Sequence, residues 1–271
     1  MRRVRRMLST LPLLLSLALL LAATAWAQVP TSNVLYRVLR IKTPTHTGSA
    51  FTIEVDGKQW LITARHLLKG FGHEGEVDLW IEGRWSRFKV RAVYPSKELV
   101  DIAALDLRRP VTITFPLVAS SGGLTLGQQV YFLGYPHGLG TSASAPVPPG
   151  FGEIPFLKSG IVSALDDRDP QANILYLDGH NNVGFSGGPI VFWHPESASF
   201  RVAGVVRGYR NEALPVLKKK KLDDPEAPAY NDLYTRANSG IVIGYDIRHI
   251  VEAIRAANRT SPTTTPSRPP S

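Results

Sequence analysis

The sequence predicts an all-β fold of about twelve short strands, arranged in two halves and followed by one helix. Short apolar runs separated by Gly, Pro, Asn and Asp recur between residues 34 and 245, and this pattern is typical of strands. About six runs precede Arg108-Arg109-Pro110 and about six follow it. Residues 246–258 carry apolar side chains at helical spacing, so one amphipathic helix is predicted there.

Two tight turns define hairpins in the first half. Asp56-Gly57 lies between two apolar runs, a pattern that predicts a two-residue hairpin turn, and Glu82-Gly83 has a similar setting. We therefore predict strands over residues 34–41, 48–55, 58–63, 76–81, 84–94 and 102–107.

The second half combines strands with two long connections. Residues 137–156 are rich in Gly, Pro and Ser, and residues 210–239 contain four successive lysines beside acidic residues, so both are expected to be loops. Residues 259–271 are mostly Thr, Pro and Ser, which predicts a disordered tail. Strands are predicted over residues 129–134, 158–165, 173–177, 188–193, 200–207 and 240–245.

Residues 1–27 have the composition of a secretory signal peptide. Four arginines precede an apolar run from Leu11 to Leu21, and Ala25-Trp26-Ala27 matches a small-residue cleavage site. We expect cleavage before Gln28 and export to the periplasm or the medium. Because the run is nearly long enough to cross a bilayer, an uncleaved membrane anchor is the alternative.

Charge and cysteine content exclude several classes of partner and cofactor. The formal net charge is +9, and four of the basic residues lie in the first 27. The remaining chain is only mildly basic and has no basic-aromatic motif, so we expect no nucleic-acid partner. Without cysteine there are no disulfides and no thiolate metal sites. We expect no metal or other cofactor, and no membrane association after cleavage.

The stretch Gly184-Phe185-Ser186-Gly187-Gly188-Pro189 is the strongest candidate for chemistry. Glycine allows sharp turns and close backbone approach, and a serine hydroxyl becomes a nucleophile when a base takes its proton. A tight Gly-x-Ser turn can also aim the amides of Gly184 and Ser186 at an oxyanion. The alternative is a glycine-rich hairpin with an incidental serine.

Two upstream residues are suitable partners for Ser186. His66 follows an apolar run that ends in Thr63-Ala64-Arg65, and Asp101 opens another apolar run. Asp106 is a rival carboxylate, but its local pattern predicts an ordinary solvent-facing side chain. In this order the sequence resembles the trypsin-like (chymotrypsin-fold) serine peptidases, most of all the bacterial trypsin-like and HtrA-type domains. Further matching pieces are Gly48-Ser49-Ala50-Phe51, Leu157–Ser163 and Val202–Val206.

The resemblance covers about residues 34–257 and implies a specific architecture. It implies two six-stranded antiparallel β-barrels, residues 28–117 carrying His66 and Asp101, and residues 118–258 carrying Ser186 and the C-terminal helix. The site would lie in the cleft between the barrels. No second module such as a PDZ domain is recognisable, and the oligomeric state is not predicted.

The resemblance also implies a mechanism for cleaving a protein or peptide substrate. Ser186 would attack the scissile carbonyl and His66 would take its proton. Asp101 would orient the imidazole, and the amides of Gly184 and Ser186 would form the oxyanion hole.

Two features concern activation and specificity. Many family members carry aspartate at the position of Phe185, where it pairs with a newly cut N-terminus, so we do not expect that form of activation here. Counting back from the serine, His180 would lie near the base of the primary specificity pocket, with Arg207 and Tyr209 along its wall. A basic side chain pointing inward would favour an acidic substrate residue.

Two other function classes remain open. Phe185 and the long connections are compatible with a catalytically silent peptidase fold that binds peptides or a protein partner. An esterase of the α/β-hydrolase type is disfavoured, because its nucleophile elbow and its Ser, Asp, His order are absent.

Overall fold

The first half of the chain is a closed antiparallel barrel. The computed structural model describes residues 28–141, 153–168, 172–217 and 229–260. The first six strands are β1 (Val38–Lys42), β2 (Thr47–Val55), β3 (Lys58–Thr63), β4 (Glu74–Ile81), β5 (Arg84–Val93) and β6 (Ala103–Asp106). They close in the order β1-β2-β3-β6-β5-β4. Asp56-Gly57 and Glu82-Gly83 form the predicted hairpin turns, and all four residues have positive φ.

The second half forms a second closed ring of strands. Its strands are β7 (Val118–Ala119), β8 (Gln129–Gly134), β9 (Phe156–Asp166), β10 (Ile174–Asp178), β11 (Pro189–His194), β12 (Ser199–Leu217) and β13 (Ala229–Asp246). The sheet order is β11-β8-β9-β10-β13-β12-β7, and β11 also pairs with β12, which closes six strands on themselves. The short β7 adds to β12 in parallel, outside the ring. The predicted two-barrel, all-β architecture is confirmed.

A C-terminal helix joins the two barrels. Helix α1 is a single turn at Ser32–Leu35, and helix α2 runs from Arg248 to Thr260. Although α2 follows the second barrel in sequence, it contacts β2, β5 and β6 of the first. Its residues Ile250 and Ile254 are fully buried in a core shared by both barrels, so α2 holds the barrels together.

Two local predictions are wrong. Residues 32–35 form a helical turn, so the first strand begins at Val38 rather than at residue 34. Residues 210–239 were expected to be a loop, but β12 and β13 continue beyond the barrel as a paired ribbon, with Asn211 opposite Asn238. Most of its described residues are exposed, and a ribbon exposed on both faces has no apolar alternation to reveal it.

Other predictions lie outside the described residues. They concern the signal peptide (1–27), part of the Gly/Pro/Ser-rich connection (142–152), the lysine run (218–221) and most of the tail (261–271). In the part of the chain that the structure describes, no helix has the length and apolar character needed to cross a membrane.

Candidate active site

His66 and Asp101 lie at one end of the first barrel. His66 is in a 3-10 turn (Arg65–Leu68) that follows β3, and Asp101 comes two residues before β6. Asp101 Oδ1 accepts a hydrogen bond from the His66 amide at 2.7 Å, and Asp101 Oδ2 lies 2.7 Å from His66 Nδ1. The Asp101 side chain is 13% exposed and the His66 side chain 42%. One carboxylate therefore fixes both the backbone and the ring of His66, while the ring remains accessible.

Ser186 lies in the turn that precedes β11, and the glycines around it are required by geometry. Gly184 and Gly187 have φ values of +106° and +87°, in the region that favours glycine. A side chain at Gly184 would overlap the carbonyl oxygen of Tyr135, and one at Gly187 would overlap that of Ser49. Both positions therefore need glycine for conformation and for space.

The carbonyl groups of this turn are all held in place. Every carbonyl from residue 180 to residue 186 accepts a hydrogen bond. The donors, in chain order of the acceptors, are Lys158 Nζ, Asn238 Nδ2, Phe185 N, His137 N, Ser49 Oγ, Gly188 N and Ser49 N. The amides of Gly184 and Ser186, by contrast, have no acceptor among the described residues. They are available to a negatively charged oxygen.

Arg207 brings the two barrels together at the site. The Ser186 hydroxyl donates a hydrogen bond to the Arg207 carbonyl at 2.9 Å. Ser186 and His66, both among the described residues, are not hydrogen-bonded to each other. Arg207 is the extra residue of a β-bulge, since its neighbours on β12 pair with consecutive residues of β13. Its Nε lies 3.7 Å from Asp101 Oδ2. The bulge thus aims the Arg207 carbonyl at Ser186 and its side chain at Asp101.

Ser49 connects the first barrel to the Ser186 turn. It lies on β2 and is 0% exposed. Its amide donates to the Ser186 carbonyl at 2.9 Å, and its Oγ donates to the Gly184 carbonyl at 2.7 Å. The same Oγ accepts from the Tyr135 amide at 2.9 Å. The sequence pattern marks Ser49 only as part of a strand motif, because a contact across 135 residues leaves no local signal.

Comparison with known protein families shows which family the chain belongs to. Residues 48–192, more than half of the chain, match the model of the trypsin-like peptidase domain. The chain belongs to the trypsin-like peptidase family. It is therefore a trypsin-like serine endopeptidase, a hydrolase, as the sequence predicted. No curated protein matches it in sequence.

Solved structures share the peptidase fold. The Rv3671c protease of M. tuberculosis, in an inactive form, is 17% identical with a TM-score of 0.50, over 83% of this chain and 90% of that chain. The HtrA-type protease AlgW, solved with a tripeptide, is 16% identical with a TM-score of 0.50, over 84% of this chain. This peptidase spans 62% of the AlgW chain. At such identities the likeness shows the fold alone.

The three residues predicted to form the primary specificity pocket differ in their exposure and in their contacts. His180 is exposed, and its carbonyl, rather than its ring, is hydrogen-bonded. Arg207 is 50% exposed and its cation faces Asp101. Tyr209 is half-buried on β12, opposite Val242.

Lys158 is a residue near the site that sequence reasoning missed. Its ammonium donates to the His180 carbonyl at 2.7 Å and to Asn182 Oδ1 at 2.5 Å. It also lies 5.5 Å from the centre of the Phe185 ring. Burial lowers the pKa of Lys158 from its ordinary value. The residue belongs to a motif that matches the family, but no pattern in the sequence places its ammonium here.

The rival carboxylate Asp106 has a structural role. The expectation that it faces solvent is wrong, since it is 7% exposed and pairs with Lys58 at 2.6 Å. Burial by itself raises the pKa of Asp106. Hydrogen bonds from Lys58 and from the Arg108 amide outweigh that effect, and the pKa is lowered overall.

The described residues were also compared with the requirements of a metal site. Within the described ranges, no group of three or more His, Asp or Glu side chains is arranged to hold a metal ion.

Proposed function

We propose that this peptidase hydrolyses peptide bonds of protein or peptide substrates with Ser186 as nucleophile, His66 as base and Asp101 as the group that orients His66. The observation that carries the proposal is the double attachment of His66 to Asp101, at 2.7 Å to the amide and 2.7 Å to Nδ1. The amides of Gly184 and Ser186, which have no acceptor in the part of the chain that the structure describes, support it further.

The chemistry follows from the hydrogen-bonding capacity of each group. An ionised Asp101 can only accept, so Nδ1 carries the imidazole proton and Nε2 is left free as a base. As Ser186 Oγ leaves the Arg207 carbonyl and attacks the substrate, Nε2 takes its proton. The amides of Gly184 and Ser186 stabilise the oxyanion of the tetrahedral intermediate.

The reaction proceeds through an ester on the enzyme. The protonated His66 gives its proton to the leaving amine, and the substrate acyl group remains bonded to Ser186 Oγ. A water molecule, deprotonated by His66, then attacks this ester and releases the acid product. The hydroxyl of Ser186 is regenerated by the proton returned from His66.

The pocket assignment is part of the same proposal. His180, Arg207 and Tyr209 would form the base and wall of the primary pocket, where a basic side chain that points inward would favour an acidic substrate residue. Cleavage of a peptide library that yields acidic residues before the cut bond supports this specificity, and cleavage after Lys or Arg contradicts it.

We also propose that the peptidase is exported. The support is the positive start, the apolar run and the Ala25-Trp26-Ala27 site. The mass of the mature N-terminus, measured on protein from outside the cytoplasm, should correspond to a chain that starts at Gln28. Recovery of the uncut chain in the membrane fraction would refute it.

Ser186 provides the decisive test of the chemistry. The wild-type protein should hydrolyse an unfolded protein and be labelled at Ser186 by a serine-directed phosphonate. Ser186→Ala should lose labelling and lower kcat/KM by about 10⁴-fold or more, while Ser86→Ala, a control on β5, should not. Asp101→Asn should cause a milder but still large loss, about 10⁴-fold, because it favours the wrong imidazole tautomer. A folded wild-type protein that neither hydrolyses nor labels would be a peptide-binding protein instead.

A further inference from the structure

We propose that Lys158 is a positioning residue that anchors the start of the segment 180–184 at His180 and Asn182, and so helps to direct the oxyanion amides of Gly184 and Ser186. The inference rests on the proposed function, because it explains how those amides are directed. It concerns a residue on β9, a strand that carries none of the proposed catalytic groups.

The contacts of Lys158 are all made to this segment. The ammonium reaches the His180 carbonyl at 2.7 Å and Asn182 Oδ1 at 2.5 Å, so two residues that are two positions apart in the chain share one donor group. Hydrogen bonds to a charged donor are stronger than those between neutral groups. These hydrogen bonds attach the start of the segment, at His180 and Asn182, to β9, which is itself paired with β8 in the barrel.

Asn182 connects Lys158 to the residues just before Ser186. The Asn182 carbonyl accepts from the Phe185 amide at 3.3 Å, and Phe185 is 0% exposed with its ring 5.5 Å from that of Phe132. The Lys158 ammonium lies 5.5 Å from the centre of the Phe185 ring. Asn182 and Phe185 thus enclose the Gly184 peptide between two fixed points.

The ammonium of Lys158 is surrounded by neutral groups of the described residues. Among the described residues, no carboxylate lies within ion-pair distance of its ammonium, and the groups that face it are two oxygen atoms and an aromatic ring. A half-buried cation without a carboxylate costs free energy. Its oxygen partners all belong to the segment that carries the oxyanion donors, which points to a role in directing that segment.

Loss of the ammonium has a definite consequence for the turn. The His180 carbonyl and Asn182 Oδ1 would lose their donor. The carbonyls of residues 181–184 would keep theirs, so the segment would loosen at its start and the Gly184 amide would shift rather than rotate freely. A misdirected amide at Gly184 weakens transition-state binding, whereas ground-state contacts of the substrate are little changed. The effect should therefore be on kcat rather than on KM.

The experiment compares three variants of the full protein with the wild type. Lys158→Met removes the charge and keeps the length, Lys158→Arg keeps the charge, and Lys89→Met removes an exposed lysine on β5 as a control. Thermal unfolding verifies that each is folded. With a peptide substrate, kcat should fall about 10- to 100-fold in Lys158→Met with KM within about twofold, less than the loss of a whole oxyanion donor. Lys89→Met should equal the wild type.

The pH profile adds a readout that a purely structural lysine would not move. Because burial lowers the pKa of Lys158, wild-type kcat should decline on the alkaline side as the ammonium loses its proton. Arginine stays protonated, so Lys158→Arg should restore activity and remove that alkaline decline.

The outcomes separate this inference from the proposed function. A wild-type protein with no activity and no phosphonate labelling would overturn the proposed function itself. If the wild type is active and Lys158→Met matches Lys89→Met, the inference is wrong. If Lys158→Met does not fold, the pH profile of Lys158→Arg decides. An alkaline decline of kcat that persists in Lys158→Arg overturns the inference, and a profile without that decline supports it. Unfolding of both variants would also overturn it, since Lys158 would then be a folding element of the barrel.

Discussion

Replacing Ser49 by alanine tests how the two barrels share the turn at Ser186. The substitution removes one buried hydroxyl that donates to the Gly184 carbonyl at 2.7 Å and accepts from the Tyr135 amide at 2.9 Å. Both backbone groups are buried and have no other partner among the described residues. Each buried polar group that loses its partner costs about 1–3 kcal/mol, so two of them predict a loss of about 2–6 kcal/mol.

Urea unfolding, followed by tryptophan fluorescence, measures this free energy. Thr47→Ala is the matched control, because it removes a hydroxyl from an exposed position of the same strand. The control should change the free energy of unfolding by about 0.5 kcal/mol or less. If Ser49→Ala loses no more than Thr47→Ala, the Ser49 hydroxyl does not hold the turn and our account of the site is wrong.

Two further predictions concern an ion pair and the ribbon. Because the pKa of Asp106 is lowered in the folded protein, its contribution to stability is present above the unfolded value of about 4 and is lost as pH falls through the folded pKa. The stability difference between wild type and Asp106→Asn, measured by urea unfolding, should therefore shrink from pH 6 to about pH 3; a constant difference would contradict the role of the Lys58 pair. Limited trypsin digestion should first cut within 210–239, where a two-stranded ribbon extends from the barrel and the sequence has four successive lysines. First cleavage within 34–107, identified by mass spectrometry, would contradict the domain assignment.

The parts of the fold that the sequence predicts correctly depend on local chemistry. Asp56-Gly57 specifies its hairpin because a two-residue turn with positive φ at both positions suits these residue types. The ribbon was missed because a strand pair exposed on both faces lacks the period that reveals strands. Asp106 was misplaced because Lys58, which covers it, is 48 residues away in the chain.

The same distinction applies to the site. The glycine turn at Ser186 is visible in the sequence, since glycine is the residue type that its φ values demand. His66, Asp101 and Ser186 were selected through the resemblance to a family, and their catalytic roles remain predictions. Ser49 and Lys158 could not be found in this way, because serine and lysine are common in strands and their contacts span 135 and 22 residues.

The link between Ser49 and the Ser186 turn also bears on the order of events during synthesis. His66 and Asp101 leave the ribosome with the first barrel, but the turn at Ser186 can reach Ser49 only after most of the second barrel has been made. Contacts between residues so distant in the chain form late, once the intervening strands have closed. A chain that ends before Ser186 contains His66 and Asp101 but not the proposed nucleophile. The proposed site is therefore completed only when the second barrel has been made and its turn has met Ser49.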